Sequence, residues 1–375
     1  MRKTFKYRIY PTKSQATLLN KMLEGCRYVY NETLSIRKNS YETSKKSISL
    51  YDTNKLLTQW KKDKPELTLS HSQVLQNVQV RVDLAFKAFF RRCKAGENPG
   101  YPRFKGRGRY TSITYTQYTG GNICLKESIL TLSKIGDIKI ICHRPIDGKI
   151  KTITLIKSAT NKWYASISVE GFKLQIKKTL NKAIGIDVGL ESFATFSTGE
   201  KIPNPRFFRQ EEKALTKAQS KKDKFEKGSL KRKKKNKVVT RIYERISFKR
   251  VNFIHQISKK LVNEFSIIAI EDLNIRNMIK NHCLAKSISD VSWNMFFNIL
   301  INKAEYADCQ VIKVNPRNTS KRCSRCGTIV EKSLSNRIHS CPICNLVLDR
   351  DVNASINILA LGIQGLDLIP RSPHL

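Results

Sequence analysis

The chain has 375 residues, and its 70 Lys and Arg against 30 Asp and Glu give a formal charge of +40 at pH 7. With 40% apolar residues and 9% aromatics, it can fold into two or three domains, which excludes wholesale disorder. So large an excess of positive charge repels itself unless a polyanion shares its field, so nucleic acid, not a small-molecule substrate, is the expected partner. A membrane partner is not expected, because there is no run of about 18 apolar residues, no Trp-rich amphipathic terminus and no lipidation signal. The first ten residues alternate charge with aromatics and lack the apolar stretch of a secretory signal, so a cytoplasmic, nucleoid-associated protein is expected.

Phe5, Tyr7 and Ile9 alternate with Lys6, Arg8 and Tyr10, which predicts a half-buried strand closed by Pro11. Apolar spacing predicts helices from Ser14 to about Lys38, near Tyr51–Lys62 and over Ser72–Lys94. Gly96 to Gly108 breaks that pattern. From Ser112 to Val169 the chain is rich in Ile, Thr, Tyr and short turns, an antiparallel β region. The simplest architecture for this half is a barrel or small sheet that starts with the first strand and is interrupted by a helical insertion.

A second domain is expected near Lys182. A buried strand carries Asp187, and Phe193–Ser197 returns beside it as a hairpin. A long basic helical stretch covers roughly Phe207 to Val262, followed by an apolar strand ending in Glu271. A helix over Val291–Ala307 and a strand over Gln310–Val314 come next. Asp349 is expected to cap a last helix that Gly362 stops.

An acid inside an apolar strand is costly to bury unless it is paired, protonated or bound to a cation. Asp187 follows Ile184-Gly-Ile, Glu271 follows Ile267-Ile-Ala-Ile, and Asp351 can join them from a helix start. Three hard oxygen ligands suit magnesium or manganese, and two-metal phosphodiester cleavage needs such a set. One acid at a strand end is more often solvated or paired with lysine; three in apolar settings point to a site. Cys323, Cys326, Cys341 and Cys344 form two CxxC pairs at the spacing of one tetrahedral zinc site, against the alternative of four free thiols. His339 is expected at the surface, not among the ligands.

Lys221 to Lys237 is densest at Lys231, Arg232, Lys233, Lys234 and Lys235. Such a run is either a solvated segment or a helix tracking phosphates. Arg91, Arg92, Lys94, Arg103, Lys105, Arg107 and Arg109 are interleaved with Tyr101, Phe104 and Tyr110, which suits phosphate contact with base stacking, although the aromatics can equally be core. Arg317 is a further candidate for a nucleic-acid contact. Trp163, Trp293 and the remaining histidines read as packing or surface residues.

In this order, Gly185-Ile-Asp-Val-Gly-Leu, Ile270-Glu-Asp-Leu and Asp349-Arg-Asp-Val-Asn-Ala resemble the three segments of a split RuvC nuclease of the RNase H-like fold. Together with Tyr7-Arg-Ile-Tyr-Pro, Pro102-Arg-Phe-Lys and Asn315-Pro-Arg-Asn-Thr-Ser-Lys-Arg-Cys, they extend the resemblance over nearly the whole chain to TnpB (OrfB) proteins of insertion sequences, relatives of type V CRISPR effectors. The resemblance implies an α+β multidomain fold. Its parts are a wedge β-barrel over 1–10 and 100–180, a helical recognition (REC) insertion over 11–99, a split RuvC nuclease over 181–315 and 346–375, and a zinc-ribbon insert over 316–345.

It also implies a guide (omega) RNA, and cleavage of double-stranded DNA beside a short transposon-associated motif. Asp187, Glu271 and Asp351 take the roles of catalytic acids and magnesium or manganese ligands. Asp349 is either a helix cap or a group behind the metal ligands, and Asn353 either orients a ligand or caps a turn. Two departures from the family pattern are Asn345, where glycine is usual, and Ser355, where alanine is common. The zinc insert is expected to brace substrate loading. Rival readings are an RNA-guided repressor or transposition regulator that binds without cutting, and a transposase or resolvase that needs no guide.

Overall fold

In the computed structural model, which describes residues 2–118, 123–171, 182–331, 333 and 336–367, the chain divides into two units, Met1–Lys173 and Leu174–Leu375. The expected domain ranges at 172–180 and 368–375 lie outside the described residues.

Period-two alternation turns Phe5, Tyr7 and Ile9 of strand β1 (Arg2–Tyr10) into the first core. Helix α1 (Lys13–Ser44) follows, started by a reciprocal capping box between Thr12 and Gln15. Helix α2 (Leu50–Asp63) starts the same way from Ser49 and Asp52, and a 3-10 turn at Pro65–Leu69 leads into α3 (Ser72–Lys94). The chain then returns to strands β2 (Ser112–Tyr115), β3 (Ile123–Lys126), β4 (Ile129–Leu132), β5 (Gly136–Ile141), β6 (Lys149–Lys157) and β7 (Trp163–Glu170). They form an antiparallel sheet in the order β2-β6-β7-β1-β5-β4-β3. Because β1 sits between β7 and β5, the sheet is completed only after the three helices have been inserted. Trp163 and Tyr110 join that core, so Tyr110 is a packing residue.

The second unit opens with β8 (Ala183–Asp187), β9 (Ser192–Phe196) and β10 (Lys201–Pro203), followed by α4 (Phe207–Asp223) and α5 (Leu230–Glu264). Strand β11 (Ile267–Glu271), helices α6 (Ile275–Met278), α7 (His282–Val291) and α8 (Trp293–Ala307), and strand β12 (Gln310–Val314) come next. A hairpin of β13 (Ile338–Ser340) and β14 (Val347–Asp349) precedes the last helix, α9 (Arg350–Asp367). The sheet order is β10-β9-β8-β11-β12, with β8, β11 and β12 parallel and the β9–β10 arm antiparallel. Ile184, Ile186, Ile268 and Ile270 pack with Ile254, Leu261, Phe296 and Leu300 of α5 and α8. Ala269 and Val314 pack with Ile358 of α9. The parallel strands are therefore covered on both faces, which explains their unbroken apolar runs.

Three boundaries differ from expectation. The long basic stretch is two helices, because Gly228 takes φ 92° and Ser229 caps a new start. A helix begins at Trp293 because Ser292, at φ 62°, separates it from α7. Gly362 does not stop α9: it lies within the helix, and a methyl group there would meet the Cβ of Ala269 at 2.7 Å. Its role is close approach, not capping. Gly185 is tighter still, since a methyl would run into the Ser355 carbonyl oxygen and lie 2.8 Å from Leu359. Replacing Gly185 with alanine should cost about 3 kcal/mol, near the top of the usual overpacking range. Thermal unfolding of purified Gly185→Ala and Gly100→Ala proteins checks this, the second variant having open space around its new methyl group.

Candidate active site

Strands β8 and β11 run parallel with Ile186 opposite Ile270. The next residues, Asp187 and Glu271, therefore leave neighbouring strands at the same level, at the carboxyl ends where open α/β sheets hold their ligands. Helix α9 lies across both strands through Gly185 and Gly362, and Asp351 is in its first turn. All three acids line one pocket of about 450 Å³, shared with Glu191, Lys321, Arg337 and Arg350.

Burial pushes the Asp187 carboxyl well above the usual carboxylate range, and the nearby Glu271 and Asp351 push it further, with Arg350 opposing. Glu271 is buried and raised for the same first reason, eased by the Thr319 hydroxyl, which donates to its Oε1 at 2.6 Å. Asp351 accepts from Nε and an NH2 nitrogen of Arg350 at 3.0 and 2.9 Å, and Arg337 stands 3.9 Å from its other oxygen. Arg337 also pairs with Glu191 at 2.7 Å. The pocket thus concentrates carboxylates that two arginines offset only in part, and its hard oxygen donors suit a divalent cation.

Asp349 behaves differently. Its Oδ1 accepts from the backbone N–H of Asp351 and Val352, the expected cap, and its Oδ2 accepts from Lys201 at 2.7 Å. Burial raises it, but Lys201 and the helix N–H groups hold it below the ordinary range. It is not among the pocket-lining residues.

The four cysteine sulfurs lie within 4.8 Å of one another, a grouping that could hold a metal ion. Cys323 and Cys344 Sγ are 3.5 Å apart, as are Cys326 and Cys341 Sγ. Bonds of about 2.3 Å to a tetrahedral zinc ask for a similar spacing. The two knuckles share one geometry. Gly327 N–H donates to Cys323 O with φ 77°, and Asn345 N–H donates to Cys341 O with φ 57°, so Asn345 takes the left-handed turn that glycine takes in the other knuckle. Thr328 brings the Cys326 thiol down to about 6, while burial and then the neighbouring sulfurs push Cys344 up to about 12. His339 is fully buried, not at the surface. Strand alternation puts it on the inward side with Cys341, leaving Ile338 62% exposed.

The basic candidates are dispersed. Lys231, Lys233, Lys234 and Lys235 are exposed in the first turns of α5, whereas Arg232 is half-buried and ties the α4–α5 turn through Phe225 O and Asp223. Arg91 is exposed and Arg92 half-buried in the last turn of α3. Arg103 and Phe104 are exposed on the segment after α3, and the Lys105 backbone is held at both ends by the Asn31 amide. Arg317 is exposed and outside the pocket lining. Sequence reasoning missed Thr319, Arg337 and Arg350 as neighbours of the acids; Thr319 and Arg350 lie within the motifs already quoted, but no periodicity marks where they point.

Because the folded-state value of Asp187 is raised, the folded metal-free protein holds that proton more tightly than the unfolded chain. Its contribution to stability therefore falls as pH rises from the ordinary carboxylate range towards the raised value, and stays lost above it. In chelator, Asp187→Asn should be more stable than the parent by roughly 1 to 3 kcal/mol at alkaline pH, with the gap closing in acid. Thermal melts across pH measure this.

Segments of the chain match three family models: one described as probable transposase over residues 166–282, a Cas12f1-like TNB domain over 293–358, and a helix-turn-helix domain over 1–46. The last of these holds β1 and the uninterrupted α1. A Streptomyces pristinaespiralis protein named "Putative RNA-guided DNA endonuclease" is 35% identical over 97% of this chain and 90% of its own length. InsQ of Escherichia coli K12, named in the same way, is 29% identical over 96% and 92%. In solved structures, Cas12f1 in complex with sgRNA and target DNA superposes with a TM-score of 0.61 at 14% identity, covering 96% of this chain and 98% of that one, which is a likeness of fold. The chain is a member of the TnpB (OrfB) family.

Proposed function

We propose that this protein is an RNA-guided DNA endonuclease whose one cleavage site is the pocket of Asp187, Glu271 and Asp351. The observation that carries the reading is the meeting of three acids, from two parallel strand ends and a helix start, in a pocket edged by Arg337 and Arg350. The three carboxylates would hold magnesium or manganese, which when bound activates a water and stabilises the leaving oxygen. Arg337 and Arg350 draw the scissile phosphate towards the acids, and burial keeps competing water out. The five-stranded sheet with α5 and α8 on one side and α9 on the other supports the RNase H-like assignment. The antiparallel sheet with α1, α2 and α3 inserted after its first strand supports the wedge and recognition assignments, and the cysteine knuckles support a zinc ribbon.

The guide RNA and double-stranded target come from the names of the relatives, and the charge fits them. Lys231, Lys233, Lys234 and Lys235 sit at the N-terminus of α5, where the helix dipole disfavours cations. Four lysines kept in that place are accounted for by phosphates, not by helix stability.

The purified protein with its co-purifying RNA, a matched duplex and magnesium should cut DNA, and chelator should stop cutting while RNA stays bound. Asp187→Ala and Asp351→Ala should each lose about a hundred- to a thousandfold in cleavage rate, comparable to removing a principal electrostatic group elsewhere. Asp349→Ala should keep most of the activity. Target occupancy without nicking in any metal would instead favour the repressor. Changing the four lysines to alanine should flatten the salt dependence of nucleic-acid binding by roughly 0.7 to 0.9 in log–log slope for each phosphate that is no longer neutralised. Filter-binding titrations at several salt concentrations give that slope.

A further inference from the structure

We infer that the cysteine knuckle is coupled to the acid pocket by Thr319, Asn353 and Asn357, and that Thr319 and Asn357 are positioning residues for Glu271. The inference rests on reading the three acids as metal ligands.

Thr319, Asn353 and Asn357 are 3%, 0% and 5% exposed. Three polar side chains buried so deeply next to a short insert are costly unless each is hydrogen-bonded. Each is. The Thr319 hydroxyl has one proton, and the Pro316 carbonyl at 3.1 Å competes with Glu271 Oε1 at 2.6 Å for it. The shorter bond to the charged acceptor wins. That bond occupies one Glu271 oxygen and leaves Oε2 for the pocket. Asn357 Nδ2 then donates to Thr319 O at 2.8 Å and to Arg322 O at 2.7 Å, clamping both ends of the turn that carries Thr319.

One helical turn earlier, Asn353 holds the backbone on both sides of Cys323. Its Nδ2 donates to Arg322 O at 2.8 Å and its Oδ1 accepts from Ser324 N–H at 2.9 Å. An apolar replacement would take the side-chain acceptor from the Ser324 N–H and leave the Arg322 carbonyl to Asn357 alone, and aspartate would set a negative oxygen against that carbonyl. Asn353 and Asn357 share a face of α9, the helix whose first turn carries Asp351. The first cysteine of the knuckle is therefore two hydrogen bonds from Thr319, and Thr319 is one from Glu271. The insert braces the acids themselves, a role distinct from the substrate loading expected of it.

The test uses the full-length protein with its co-purified RNA and reads Mn²⁺ affinity by electron paramagnetic resonance alongside cleavage. Thr319→Val keeps the shape and removes the hydroxyl; it should weaken Mn²⁺ binding by about 10- to 100-fold, as loss of a group behind metal ligands does elsewhere. Thr319→Ser should restore it, while RNA retention is the same in all three proteins. Asn357→Ser, which frees the turn without touching Glu271, should show the same direction of loss and decides the matter if Thr319→Val does not fold. Parental Mn²⁺ affinity in both Thr319→Val and Asn357→Ser overturns the inference even where Asp187→Ala is inert. Cleavage by Asp187→Ala overturns the reading of the acids, and this inference with it.

Discussion

Everything at the candidate site depends on how closely α9 can lie on the central sheet. Gly185 of β8 leaves room for the Ser355 carbonyl and for Leu359, and Gly362 of α9 leaves room for Ala269 of β11. Two contacts of backbone against backbone or methyl fix the helix along its length, and only at that distance does its first turn bring Asp351 over the ends of β8 and β11. The buried Ser355 carries its hydroxyl on the Val352 carbonyl, inside the helix, so the serine costs the packing nothing. Close-packed interiors transmit such constraints because they have few voids into which a displaced helix could move.

Electrostatics works against that geometry. A chain with 30 acids among 70 bases would be expected to pair each acid with a cation. Among the described residues the other buried acids are so paired: Asp83 with Arg37 and Lys87, Glu211 with Arg245 and Lys249, and Asp290 with Arg250, while Asp290 also caps the start of α4. Asp187 is held instead among other carboxylates at a raised value, and Glu271 has a hydroxyl for a partner where a base would be usual. Two buried acids without a basic partner of their own, in a chain so rich in bases, make this pocket the candidate functional site.

The knuckle follows the same logic at a smaller scale. Its fold comes from paired turns around cysteine, with Gly327 and Asn345 supplying the left-handed residue in each. A segment this short has no apolar core of its own; its four cysteines are placed where a metal could hold them, and buried amides fix its backbone. One of those amides, Asn357, holds the backbone of Thr319, whose hydroxyl donates to Glu271.

Taken alone, the sequence determined most of the elements and singled out the candidate acids and cysteines. Alternation in β1, the apolar runs ending in Asp187 and Glu271, and the CxxC spacing are local patterns, and the residues that satisfy them are written in order. It misjudged what depends on distant contacts. Gly362 reads as a helix stop and is a packing glycine; His339 reads as a surface residue and is buried, because strand alternation sets it inward with Cys341. Which acid faces the pocket was also a tertiary decision: Asp349 and Asp351 are two residues apart, yet Lys201 and two helix N–H groups claim the first. Thr319 and Arg337 gain their meaning only in space, because a hydrogen bond or an ion pair across 48 or 14 positions leaves no period in the chain.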